Sequence, residues 1–294
     1  MLNKNPIFLN CFSRGGSNIL WNIFLSHPQV CSPIQETVQI FRGGWQGTRA
    51  GLTVALLSQQ WHLFDQKYLQ LRKPLSHSAQ KFIDRTFYKW KLKTITDEEM
   101  QYKAETAVYS PEEVQQARLV AKNNNGLAFV SDIWHTMYPD AVSIALVRNP
   151  LALYESYQRR RFMNSIDEFV SFYCHIAQKM LDDATKYDHY YIIRFEDMTA
   201  DPIGTTEKLY NLSDLDLTQI DKMRFKAKSH FNQNGKHTTR YEEGHHYWFN
   251  FDQVRQFLEP KINELQIQRL PERDVSAIKK RTLTVTSALG YYLD

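Results

Sequence analysis

Residues 7–21 read IFLNCFSRGGSNILW and join three patterns without a break. The opening IFLNC predicts a buried strand, Gly15–Gly16 a turn, and the apolar spacing of residues 18–27 a helix. A loop of this shape exposes the N–H groups of a helix N-terminus, which bind phosphate. The lysine of an ATP-binding loop is absent, and Arg14 precedes the glycines instead. Taken alone, the stretch is equally consistent with an ordinary glycine turn.

Strands and helices continue to alternate beyond this loop. Uninterrupted β-branched and apolar residues make 141–147 the clearest strand, and Pro150 opens the helix after it. Further strands are predicted at 29–33, 118–123 and 190–195. This alternation predicts an α/β fold, a single domain whose central parallel sheet is flanked by helices. Such sheets bind ligands at the carboxyl ends of their strands.

The residues that end the predicted strands indicate the kind of ligand. A hydrophobic strand of an ATP-hydrolysing P-loop protein commonly ends in an aspartate that helps to hold magnesium. Here Arg148 ends the strand, and Ser156 follows two helical turns later. A cation in this position favours a second anion over a metal, although a surface ion pair would also explain Arg148. Lys122 and Phe195 end two further strands at the same edge.

Composition excludes several classes of protein. With 43% hydrophobic residues in 294, the chain can build a large core, and no window of eighteen apolar residues predicts a membrane span. Only six residues precede the first strand, so no signal peptide is expected. The three cysteines form no CxxC pair, which favours free thiols in a reducing, cytoplasmic setting and no cysteine metal site.

The charge pattern favours a small anionic ligand. The net charge of +4 suits a polyanionic small molecule as well as nucleic acid. The basic runs KWKLK (89–93) and RRR (159–161) carry no nucleic-acid motif and are interpreted as solvated helix faces. We therefore expect no nucleic-acid partner and no membrane partner.

Several motifs, in order along the chain, resemble those of the PAPS-dependent sulfotransferases, where PAPS is 3′-phosphoadenosine 5′-phosphosulfate. FSRGGSNILW (12–21) resembles their 5′-phosphosulfate loop, and LVRNPLALYESY (146–157) resembles their 3′-phosphate motif. HPQVCSPIQET (27–37) is similar to the HP…ET segment of bacterial and tyrosylprotein members. YPDAVSIALVRNP (138–150), IIRFEDMTADP (192–202) and the terminal ALGY also fit the family.

The resemblance implies a P-loop-like sulfotransferase fold that binds PAPS, releases 3′,5′-ADP and needs no metal. The residues that match the 5′-phosphosulfate loop are Arg14, Gly15, Gly16, Ser17 and Asn18. Arg148 and Ser156 match the 3′-phosphate pair, and Phe195 matches an aromatic position near adenine. In the late basic loop 234–240, Lys236 or Arg240 would close over the 3′-phosphate, unless that loop is simply solvated.

The catalytic residues implied by the resemblance are Glu36, Lys122 and Arg14. Cytosolic members carry a KxH motif with a histidine base, but here Lys122 is followed by Asn124 in the histidine position. Glu36 matches the glutamate of the tyrosylprotein and bacterial branch and would be the base. Its alternative is an ordinary surface carboxylate, and His135 is a rival base with the wrong spacing from Lys122.

The acceptor is expected to be a small molecule with a hydroxyl or amine, with sulfation of a peptide tyrosine or a carbohydrate as the alternative. Residues 1–294 are expected to form one domain in which a variable, mainly helical insertion at about 45–118, rich in aromatic residues, builds the acceptor site. A homodimer is left open. A nucleotide kinase and a non-catalytic nucleotide-binding module are the competing classes, but no GK[ST] loop or magnesium ligand is visible.

Overall fold

Five parallel strands form the central sheet of the computed structural model. The structure describes residues 2, 4–41, 48–60, 74–97, 107–163, 165–227, 230–231, 237–238, 241–258 and 261–292. The strands are β1 (Ile7–Cys11), β2 (Val30–Cys31), β3 (Arg118–Asn124), β4 (Val142–Val147) and β5 (Tyr190–Arg194). Their order in the sheet is β2-β3-β1-β4-β5. β1 is central, and its Ile7 lies opposite Val120 of β3 and Val142 of β4.

The helices cover both faces of this sheet. They are α1 (Ser17–Leu25), α2 (Val38–Phe41), α3 (Arg49–Ser58), α4 (His77–Lys93), α5 (Pro111–Gln116), α6 (Ser131–Met137), α7 (Pro150–Arg159), α8 (Ile166–Lys186), α9 (Phe195–Ala200), α10 (Pro202–Asn211), α11 (Phe251–Phe257), α12 (Ile262–Ile267) and α13 (Glu272–Ala288). Short 3-10 helices span Thr94–Thr96, Asn125–Val130 and Leu217–Gln219. Two small antiparallel pairs complete the fold: β6 (Lys222–Lys226) with β9 (His246–Asn250), and β7 (His230–Phe231) with β8 (His237–Thr238).

Alternation along the central strands divides the core between the two faces. On β4, Ile144 and Leu146 pack with α1 on one face, while Ala145 and Val147 pack with α8 and α13 on the other. Every residue of β1 and β4 is buried, as expected for a parallel sheet that is covered on both sides. The predicted α/β fold with a central parallel sheet is therefore confirmed.

The predicted strands differ from the observed ones mainly at their ends. The segment predicted at 29–33 pairs only at Val30–Cys31, because Pro33 has no N–H group to donate to the sheet. The described part of the 45–118 segment before β3 is largely helical, in α3, α4 and α5. The role of this segment in binding an acceptor stays a prediction.

None of the helices in the described ranges is both long and apolar enough to cross a bilayer. Within the same ranges, no three or more His, Cys, Asp or Glu side chains are grouped so that they could hold a metal ion.

Candidate active site

The glycine loop connects the carboxyl end of β1 to the N-terminus of α1. Gly16 has a φ of 96°, and a Cβ at this position would lie 2.3 Å from the ring of Phe195. Only glycine fits this backbone without strain or collision. Gly15 donates its N–H to the carbonyl of Phe12 at 3.0 Å and closes the turn. The loop thus places the N-terminus of α1, with its unpaired N–H groups, at the carboxyl edge of the sheet, where an anion could bind.

Arg14 connects this loop to the end of β4 and to α7. It adopts a left-handed backbone with a φ of 63°, and its Nε donates to Ser156 Oγ at 3.4 Å. Its carbonyl accepts a hydrogen bond from Arg148 Nη1 at 2.7 Å. Arg14, Arg148 and Ser156, which the sequence assigned to two separate phosphate sites, therefore lie side by side.

Arg148 is a buried guanidinium whose direct partners are neutral. Its exposed fraction is 5%, and its Nε and Nη2 donate to Asn263 Oδ1 at 2.9 and 2.7 Å. Nη2 also donates to Gln266 Oε1, and the guanidinium lies 4.3 Å from the centre of the Phe195 ring. Burial lowers the pKa of Arg148 to about 10, so the group remains cationic at neutral pH. No carboxylate in the described part of the chain forms a direct ion pair with it. Glu196 and Glu155 act on it from beyond an intervening amide, so a bound anion can still interact with the guanidinium.

Lys122 and Glu36 meet at the end of β3. Lys122 Nζ donates to Asn18 Oδ1 at 2.9 Å and lies 3.5 Å from Glu36 Oε1. It also lies 5.0 Å above the ring of Trp21. Lys122 is mostly buried, with 11% of its side chain exposed, whereas 60% of the Glu36 side chain is exposed. The proposed lysine and base are thus neighbours, beside the glycine loop.

These groups surround one cavity of about 340 Å³, a size typical of ligand sites. Of the residues predicted for the site, the wall includes Arg14, Gly16, Ser17, Asn18, Lys122, Arg148, Ser156 and Phe195. Asn124, in the position of the family's histidine, also lines it. Gly15 lies within the loop, and Glu36 reaches the wall through Lys122. Lys236 and Arg240 lie outside the described residues.

An apolar cavity of about 120 Å³ adjoins the first. The two cavities share Asn18, Ile19, Phe195 and Ile262, and Phe225 and Phe257 line the second. Phe195 therefore lines both. A ligand that has charged groups in the first cavity can place an aromatic ring in the second.

His135 lies at the other end of the sheet. Its Nε2 is 3.1 Å from Ser143 Oγ, and Ser143 pairs with Tyr190 at the start of β5. The imidazole stacks on Tyr187 with ring centres 3.9 Å apart, and burial lowers its pKa to about 4. The active-site cavity is formed at the carboxyl ends of the strands, so His135 is not in contact with it.

Seven further residues of the wall were not predicted for the site: Ser13, Ile19, Arg159, Phe162, Ile262, Gln266 and Arg269. The interpretation of the RRR run as a solvated face is wrong for Arg159, because it lies one turn after Ser156 on the same side of α7. The KWKLK run is likewise not wholly solvated. Lys91 is buried and donates to the carbonyls of Gln115 and Ala117.

Comparison with known proteins places this geometry in context. A protein-family model described as the sulfotransferase family matches residues 6–219. The chain is similar in structure to the sulfotransferase domain from the Synechococcus PCC 7002 olefin synthase, with a TM-score of 0.53, 18% identity, and 99% of this chain and 98% of that chain covered. The sulfotransferase domain from the curacin biosynthetic pathway has a TM-score of 0.51 and 14% identity over the full length of both chains. At such identities the likeness concerns the fold. A search of curated proteins found no match.

Proposed function

Because the chain belongs to the sulfotransferase family, we propose that it transfers a sulfuryl group from PAPS to a hydroxyl or amine of a small-molecule acceptor and releases 3′,5′-ADP. The observation that carries this proposal is the buried Arg148 with only neutral direct partners, beside a glycine loop that can bind a second anion. A donor with phosphate groups on both the 3′ and the 5′ positions matches two anion sites in one cavity.

The described residues fit such a donor. The N–H groups at the start of α1, with Arg14, Ser17 and Asn18, would hold the 5′-phosphosulfate, because a helix N-terminus and a guanidinium both favour anions. Arg148 and Ser156 would hold the 3′-phosphate. The adenine ring would occupy the apolar cavity that Phe195, Phe225 and Phe257 line.

The chemistry of the transfer needs a cation and a base on the wall next to β3. The donor supplies a sulfuryl group bonded to a phosphate oxygen. Lys122 would donate a hydrogen bond to the oxygen on which negative charge develops, and Arg14 would add a second cation there. Glu36, 3.5 Å from Lys122 and open to solvent, would accept the proton of the acceptor hydroxyl or amine.

Thermal unfolding with different nucleotides tests the proposed donor. With EDTA present, saturating 3′,5′-ADP should raise the unfolding temperature. A ligand at one hundred times its Kd increases the free energy of unfolding by about 2.7 kcal/mol. ATP with magnesium should stabilise less than 3′,5′-ADP. Stabilisation that required magnesium, or that favoured ATP, would instead support a nucleotide kinase.

A transfer assay separates an enzyme from a binding module. The protein is incubated with sulfur-labelled PAPS and a panel of hydroxyl and amine acceptors, and labelled product is measured. Label on a small molecule supports the proposal. Binding of 3′,5′-ADP without transfer to any acceptor, including tyrosine peptides and carbohydrates, would indicate a non-catalytic nucleotide-binding protein.

A further inference from the structure

Glu155 is a buried carboxylate in contact with two arginines of the cavity wall. It stands on α7 directly before Ser156, and its exposed fraction is 4%. Its Oε1 accepts hydrogen bonds from Arg159 Nε at 3.0 Å and from Arg269 Nε at 2.8 Å. Arg159 belongs to α7, whereas Arg269 follows α12. One carboxylate therefore joins cations from two separate segments at the same cavity.

Gln266 connects this carboxylate to Arg148. Its Nε2 donates to Glu155 Oε2 at 2.9 Å, and its Oε1 accepts from Arg148 Nη2. The amide thus has both ends fixed, and the three arginines are parts of one hydrogen-bonded network. A connected network of this kind holds its members in defined positions before a ligand arrives.

The cavity wall beside this network is strongly cationic. Glu155 directly contacts Arg159 and Arg269, and a second carboxylate, Glu196, is linked to Arg148 through the amide of Asn263. The wall residues within the described ranges include five cations and no acid. Such a wall attracts an anion with two charges more strongly than one with a single charge.

We propose that Glu155 is a positioning residue that holds Arg159 and Arg269 beside Arg148, so that the three arginines select a phosphate monoester dianion. This inference rests on the function proposed above, in which that anion is the 3′-phosphate of the donor. A phosphate monoester has a second pKa near 6 and carries close to two charges at pH 7, whereas a diester or a sulfate ester carries one.

Binding of paired nucleotides tests the role of Arg269. Calorimetry gives the Kd of 3′,5′-ADP and of 5′-AMP, which lacks the 3′-phosphate, for the unaltered protein and for Arg269→Met. Methionine keeps the apolar stem and removes the charge. We expect the Kd of 3′,5′-ADP to rise about tenfold or more and that of 5′-AMP less than about twofold. Arg281→Met, which removes an exposed arginine paired with Asp167, is the matched control and should change neither.

Glu155→Gln tests the positioning role separately. The amide keeps the size of the side chain but not the charge that holds both arginines. The preference for 3′,5′-ADP over 5′-AMP should fall, and its dependence on pH should flatten. In the unaltered protein, that preference should decrease as the pH is lowered from about 7.5 to 5.5, because the 3′-phosphate takes up its second proton.

The outcomes separate this inference from the proposed function. If the unaltered protein binds 3′,5′-ADP no better than 5′-AMP, the proposed donor is wrong and the inference fails with it. If the unaltered protein discriminates but Arg269→Met and Glu155→Gln keep its preference and its pH dependence, only the inference is overturned. A lower unfolding temperature with an unchanged preference would mean that the network merely joins α7 to α12. Should Glu155→Gln fail to fold, Arg269→Met alone decides.

Discussion

The two sides of the cavity hold their charged side chains in different ways. On the side formed by β4, α7 and α12, the phosphate side, Arg148 and Glu155 are almost fully buried and joined by Gln266. On the side formed by β3 and the segment after β2, the transfer side, Glu36 is 60% exposed and touches one cation, Lys122. Because the Glu36 carboxylate is open to water, its attraction to the mostly buried Lys122 is partly screened.

This difference suggests a division of work. A side whose groups are already fixed loses little conformational entropy when a ligand binds, so it can supply affinity. A base that takes a proton from the acceptor must instead be accessible to an acceptor that enters from solvent. Substitutions on the phosphate side should therefore act mainly on donor affinity, and those on the transfer side mainly on kcat.

The largest effect is expected for Lys122→Met on the transfer side. Loss of a positioned cation at a developing negative charge typically lowers kcat by about 10²–10³-fold. The Kd of 3′,5′-ADP should change by less than about fivefold, because Arg14 and the N-terminus of α1 remain. Transfer of the labelled sulfuryl group measures kcat, and calorimetry measures the Kd of 3′,5′-ADP. Equal losses in rate and in affinity would indicate that Lys122 acts mainly in donor binding, like the phosphate side.

Glu36→Gln should have the next largest effect, about a hundredfold on kcat with the true acceptor. Glutamine is nearly isosteric and keeps a polar contact with Lys122, so the fold and the Kd of 3′,5′-ADP should not change. A loss of less than about threefold would contradict the base role, and an acceptor amine that arrives deprotonated would then explain the rate.

The contrast between the two sides also explains what the sequence could predict. The strands of the central sheet and the glycine loop are local patterns: an apolar run, a turn, and a helix that follows. Arg148 and Ser156 could be paired because eight residues separate a strand end from a helix face. The transfer side could be inferred only from the resemblance of the HP…ET segment.

The rest of the phosphate side depends on contacts that no local pattern predicts. Gln266 and Arg269 reach the cavity because α12 packs on α7, more than one hundred residues away in sequence. The sequence of α12, INELQI, does not indicate that neighbour. The strands β6 and β9 likewise pair across a long connection. Arg159 alone could have been found, since it lies three residues after Ser156 on the same helix face.

Arg148→Ala tests the phosphate side at its centre. The loss of a charged hydrogen bond to a phosphate costs about 1.5–3 kcal/mol, so the Kd of 3′,5′-ADP should rise roughly tenfold to a hundredfold. The Kd of 5′-AMP should rise much less, because that nucleotide has no 3′-phosphate. Calorimetry with both nucleotides checks this, and unfolding temperatures report whether the buried site has collapsed. Equal increases for the two nucleotides would remove Arg148 from the 3′-phosphate site.

The smallest effect on the reaction is expected for His135→Gln, since His135 lies outside both sides of the cavity. We expect kcat to stay within about twofold, far below the effect of a general base.

The substitution should instead change how the stability of the fold depends on pH. Burial lowers the pKa of His135 to about 4, below its ordinary value of 6.5. Between these values the unfolded chain takes up a proton that the folded chain refuses, so stability falls as the pH is lowered through this range. The imidazole contacts Tyr187 and Ser143, with Asp132, Lys179 and Lys186 nearby, and none of these is altered by the substitution. Thermal unfolding at pH 7 and at pH 5 should therefore show a smaller loss of stability in His135→Gln than in the unaltered protein. A hundredfold loss of kcat with an unchanged pH dependence of stability would indicate that His135 takes part in the reaction. The assignment of the reaction to the carboxyl end of the sheet alone would then be wrong.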